Sequence, residues 1–160
     1  MDRHQSRPPV TDFRTLFRYA HWANDRLIGA MKDADGVPER ATELLAHLLR
    51  ARDVWYGRIQ DTDHANLDLW GDVDLQTCVR KARVSHQRWG EFMDEHVPEE
   101  LDQPIMYTNS KGNSFTTALE DVIFHVLNHE THHRGQIALV LRESGVAPPA
   151  TDYIFFLREQ

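Results

Sequence analysis

The sequence predicts an all-α fold: a bundle of four long helices with a short hairpin-like insertion before the fourth. Three observations lead there. Four stretches of roughly twenty residues repeat apolar side chains at intervals of three and four, the period of a helix that buries one face. Proline and glycine clusters punctuate the joins between them. At 160 residues the chain is long enough for a core of its own, so residues 1–160 read as a single domain.

The first helix opens after a Thr11 or Asp12 cap and carries Phe13, Leu16, Phe17, Ala20, Leu27, Ile28 and Met31 at helical spacing. Gly36-Val37-Pro38 breaks it. The second helix runs from about Pro38, a residue suited to a first turn, to Ile59, with Leu44, Leu48, Ala51, Trp55 and Ile59 as its stripe. Asp61 to Asp72 is polar and loop-like, interrupted by Leu67, Leu69 and Trp70. A third helix spans roughly Asp74 to His96 and ends at Val97-Pro98, because proline disfavours helical backbone in the residue before it. Ile105-Met106-Tyr107-Thr108 and Ser114-Phe115 flank a polar Asn109–Asn113 turn, a short hairpin or extended loop. Thr117-Ala118-Leu119-Glu120 has capping-box spacing and opens a fourth helix. That helix closes near Ser144, with Gly145 placed for a left-handed turn. The tail Tyr153-Ile154-Phe155-Phe156-Leu157 is apolar enough to dock on the bundle or on a second subunit.

Composition narrows the function. A net charge of −7 without a lysine-rich stripe argues against nucleic acid, which needs a basic face. Cys78 is the single cysteine, so no intrachain disulfide forms and a cytoplasmic setting is expected. Met1–Pro9 lacks the apolar core of a signal peptide, and no apolar run approaches bilayer length, so no membrane role is expected.

Ten histidines are the chemistry-bearing feature, although His4 and His64 lie in surface segments. His129-Glu130-Thr131-His132-His133 reads H-E-x-x-H. On a helix the outer two imidazoles return to nearly one face and can share a divalent ion. The spacing alone serves equally a shared metal and two hydrogen-bonded, half-buried histidines. His47, on a core-facing strip of the second helix, adds a third inward imidazole and makes a facial tripod with open positions. His86 is the rival third ligand. His125 and His132 fall on the outer side of the helical wheel, as residues behind the ligands or at the surface. Glu130 lies about 100° from His129, over the apolar side. It can be a catalytic general base or a residue bonded across the core. A zinc peptidase would want a further ligand downstream, yet only Glu143, Asp152 and Glu159 follow as side-chain candidates.

The segment His125–Gln136 resembles the DinB/YfiT-like family of metal-binding four-helix-bundle proteins. Its H-x-x-x-H-R-G-Q pattern falls on His129, His133, Arg134, Gly135 and Gln136. Leu45–Ala51 with Trp55, Tyr19–Asn24 and the tail Asp152–Leu157 resemble other family segments. The resemblance implies a long crossover between helices two and three, a divalent metal on His47, His129 and His133, and often a homodimer. It also implies thiol-dependent transferases and isomerases among relatives. Gln136 is expected to orient an imidazole and Gly135 to admit a neighbouring helix or the tail; Arg134 either pairs with a carboxylate, within the chain or across a dimer, or, the preferred reading, lies in ordinary packing or on a solvated face.

Three functions compete. One is an enzyme using a low-molecular-weight thiol as cosubstrate on a small-molecule substrate, of S-transferase or isomerase type, or else a metal-dependent hydrolase. A second is a non-enzymatic metal-binding or stress-response module. A third is a structural bundle whose histidines bind nothing. Imidazole ligands admit zinc or nickel foremost, with iron, copper or manganese also compatible.

Overall fold

The computed structural model describes residues 12–62 and 73–160. Expectations for Thr11, His4, His64, the N-terminal segment and Leu67 to Trp70 lie outside them. Among the described residues, four long helices form the bundle: α1 (Phe13–Asp33), α2 (Glu39–Ile59), α3 (Leu75–Glu95) and α4 (Leu119–Glu143). An antiparallel hairpin, β1 (Pro104–Thr108) and β2 (Ser114–Ala118), precedes α4 with Met106 opposite Thr116. A short α5 (Tyr153–Arg158) follows it.

The helix starts have local causes. Asp12 caps α1 by accepting from the Thr15 amide at 2.7 Å, and Asp74 caps α3 from the Thr77 amide at 2.7 Å. Such caps stabilise a helix by about 1 kcal/mol. The capping box expected at Thr117–Glu120 does not form. Thr117 pairs with Ile105 within β2, and Ala118 offers no capping oxygen. The first amides of α4 instead donate to main chain: Leu119 to the Gln103 carbonyl at 2.9 Å and Glu120 to that of Leu101 at 2.8 Å. At the other end Gly145 adopts φ 84°, and Val146 donates back to the Leu141 carbonyl at 2.9 Å. This closes α4 as the sequence predicts.

The core falls into two apolar halves. One joins Leu27 and Met31 of α1, Leu44 and Leu48 of α2, Cys78 of α3, and Ile137 and Leu141 of α4. The other joins Phe17, Trp89, Phe92, Leu119, Ile123 and Val126. The order in which each helix crosses these halves fixes its direction: α1 and α4 run one way, α2 and α3 the other. The described ends of the α2–α3 connection therefore lie at opposite ends of the bundle. Ile59 packs in one half, Val73 and Leu75 in the other, which is the long crossover.

Between the halves lies a polar layer of Asn24, Arg52, Ser85, Glu130 and Arg134, all buried. The tail docks on its own bundle. Phe156 is buried against Tyr19 and Trp22, the Tyr19 hydroxyl donates to the Thr151 carbonyl at 2.8 Å, and Trp22 donates to Glu159 at 2.8 Å. No helix among the described residues is long and apolar enough to cross a membrane.

Candidate metal centre

α2 and α4 make the broadest interhelical contact and run antiparallel, so residues ascending one meet residues descending the other. Three meetings mark the register. His47 faces His129 and His133, Arg52 faces Glu130, and Trp55 faces His125.

The first is the candidate centre. Ring nitrogens of His47, His129 and His133 lie within 4.8 Å of one another, and among the described residues no other group of three possible ligands converges this way. The His129 and His133 Nε2 atoms are 3.1 Å apart. Nitrogens bound to one ion at the usual length of about 2.0–2.1 Å would stand roughly 3 Å from each other, so the His129–His133 pair already has the spacing of two ligands and His47 lies near enough to be a third. His47 and His133 are buried and His129 is half-buried, which leaves one side of the cluster open.

Electrostatics suit ligation. Burial, then the neighbouring His133 and His47, lowers the His129 pKa to about 4. Burial also lowers His133. Both imidazoles are thus neutral at pH 7, the form that offers a lone pair. Gln136 Oε1 lies 2.6 Å from His133 Nδ1. An amide oxygen accepts, so Nδ1 carries the proton and Nε2 keeps the lone pair aimed at the cluster. The wheel puts Gln136 near His129, whereas the structure places it on His133.

The other histidines separate. The His125 ring is exposed and lies 5.8 Å from that of His129 and 5.0 Å from Trp55. His132 is exposed, its ring 5.0 Å from that of His133. His86, the rival ligand, stacks face to face on His21 with ring centroids 3.4 Å apart and stays outside the cluster.

Glu130 is fully buried, and its carboxylate turns across the core. Oε1 faces Arg52 Nε at 3.2 Å, and Oε2 faces Arg134 at 3.4 Å and receives a hydrogen bond from Asn24 at 3.2 Å. The Arg52 contact is close but lies off the hydrogen-bond axis, so charge rather than a directed bond holds it. Arg134 takes the carboxylate partner, Glu130, rather than the solvated face preferred for it. It is buried, not solvated, donates to Thr131 at 2.8 Å, and lies over the Tyr19 ring at 5.3 Å. Gly135 corrects an expectation: nothing lies within 4 Å of where its Cβ would be, so among the described residues no helix or tail approaches it.

The layer was readable in part. Arg52 sits four residues after Leu48 and three before Trp55, a cation at a core position of the α2 stripe. Asn24 interrupts the α1 stripe in the same way, between Ala20 and Leu27. A charge on an apolar stripe announces a buried partner.

Fold and cluster together define a helical bundle with a three-histidine centre between two antiparallel helices. The comparisons agree with that class. The DinB family model matches residues 10–160. Protein DinB of Bacillus subtilis (strain 168) is 37% identical over 164 residues, covering 92% of this chain and 95% of that protein. The chain belongs to the DinB family.

Proposed function

We propose that this protein holds a divalent transition metal, zinc or nickel foremost, on His47, His129 and His133 and uses it on a low-molecular-weight thiol in an S-transferase or isomerase type of reaction. The observation that carries the reading is the convergence of three imidazoles, from two helices, on one point with an open side. A divalent ion there supplies positive charge that lowers the pKa of a thiol and presents the thiolate to an electrophile.

The chain's own residues do the rest. Burial keeps His129 and His133 unprotonated, and Gln136 sets the His133 tautomer. Thiol chemistry is favoured over hydrolysis by the position of Glu130. Hydrolysis of the zinc-peptidase type uses a carboxylate base beside the centre, and this carboxylate is engaged by Arg52, Arg134 and Asn24. A thiol, with an ordinary pKa of about 8.5, needs far less help to ionise near neutrality. The homodimer expected from the family has its support on the outer face of α4, where Phe124 and Leu139 are exposed on either side of open Gly135.

The test uses tag-free protein. Elemental analysis should find about one metal per chain, and His47→Ala and His133→Ala should lose both the metal and turnover in a panel of thiols with model electrophiles. Full activity in either variant overturns the metal mechanism. Tight stoichiometric metal with no turnover for any thiol overturns the enzymatic part and leaves a metal-binding module.

A further inference from the structure

Beside the histidine cluster runs a wall of rings that the proposed chemistry does not use. From His129 the contact passes to His125 at 5.8 Å, to Trp55 at 5.0 Å, to Tyr107 of the hairpin at 5.0 Å, and to Phe115 at 5.7 Å. The wall is partly open to solvent, Phe115 and His125 being exposed and Trp55 and Tyr107 intermediate. Over it lies Arg58, its guanidinium carbon 4.4 Å from the Trp55 ring centre and 5.1 Å from that of Tyr107.

Arg58 differs in its partners from the arginines that form ion pairs. Arg14, Arg26, Arg40, Arg52, Arg88 and Arg134 each face a carboxylate. Among the described residues Arg58 faces none, although acidic residues outnumber basic ones, 25 to 18. Its buried Nε meets no acceptor. Burial lowers its pKa while Tyr107 opposes the shift, yet an arginine remains a cation at any physiological pH. A half-buried, permanently charged fork held by ring faces, whose Nε meets no acceptor among the described residues, is what an oxyanion completes.

We propose that Arg58 and the Trp55–Tyr107 wall form a subsite for a small molecule bearing a carboxylate or phosphate. Its apolar or aromatic body lies on the rings and its anionic group pairs with Arg58. Trp55 is eight residues beyond His47, about 12 Å along α2. A ligand of roughly that length reaches from Arg58 to the histidine cluster; only this last point rests on the metal reading above.

The experiment is calorimetric titration of the full chain, with and without reconstituted zinc, using 4-phenylbutyrate, its neutral amide and phenyl phosphate. The acid should bind about tenfold or more tightly than the amide, the usual advantage of a charge-assisted hydrogen bond. That preference should vanish in Arg58→Met while metal content and helicity stay unchanged. Should Arg58→Met fail to fold, Arg58→Gln makes the same comparison. Tighter binding of phenyl phosphate than of the acid assigns the subsite to phosphate, and the reverse order assigns it to carboxylate. Equal binding of acid and amide, no binding of any probe, or a preference that survives loss of Arg58 overturns the inference. Failure of the metal reading looks different: no stoichiometric zinc, with the Arg58-dependent preference intact.

Discussion

Replacing Glu130 by glutamine removes one negative charge from a site with no access to water and leaves Arg52 and Arg134, both buried, facing each other without a counterion. Removing one partner of a buried ion pair costs about 3–5 kcal/mol, because the remaining charge keeps its desolvation penalty and loses its compensation. Against a total stability of about 5–15 kcal/mol this is a large fraction. For a domain of this size it corresponds to a fall in Tm of roughly 6–20 °C. Urea unfolding of the metal-free protein measures it directly. Metal affinity should fall too, since the layer ties α2 to α4 within five residues of His47 and one of His129. The triple replacement Arg52→Met, Glu130→Leu, Arg134→Met should recover most of the stability, because an apolar layer carries no charge to compensate. An E130Q protein that unfolds within about 1 kcal/mol of wild type, binds metal normally and yet loses turnover would refute this reasoning and restore Glu130 as a general base.

Two further outcomes follow from the same geometry. Gln136→Leu removes the acceptor on His133 Nδ1 and should weaken metal binding by about 10–100-fold with little change in fold, as read by competition with a chromogenic chelator; an unchanged affinity would show that Gln136 does not orient the ligand. Acid should also destabilise the metal-free protein. Burial lowers both His21 and His86 in their stack; Arg52 lowers both further and Asp25 opposes it. The folded state then binds fewer protons than the unfolded one, so stability is full above the free-histidine pKa of about 6.5 and declines as pH falls below it. His86→Phe keeps a ring on His21 and removes one titrating group, so its urea midpoint should fall less steeply between pH 6.5 and 4; an identical slope in the two proteins counts against the stack as a source of acid sensitivity.

Much of this protein was legible in one dimension. Helix spacing, the Asp12 cap and the Gly145 stop are local properties of a dozen residues or fewer, and they mark α1, α2, α3 and α4 to within a few residues. His129 and His133 belong together for the same reason, since one helical turn joins them. His47 came in on its core-facing position, with His86 as a rival, and family likeness added to that choice, because nothing local links residues some 80 apart. What only tertiary structure decided are the partners of charged groups along the chain. Glu130 follows a ligand histidine and resembles a catalytic base, yet Arg52, Arg134 and Asn24 from two other turns of the bundle and its own helix claim its carboxylate. Arg134 resembles a surface residue until the polar layer buries it. The capping box failed because a strand pairing, which is non-local, took Thr117 first. Periodicity reports which face of a helix is buried; it does not report what another helix brings to that face, and for charges in a low-dielectric interior the partner determines the role.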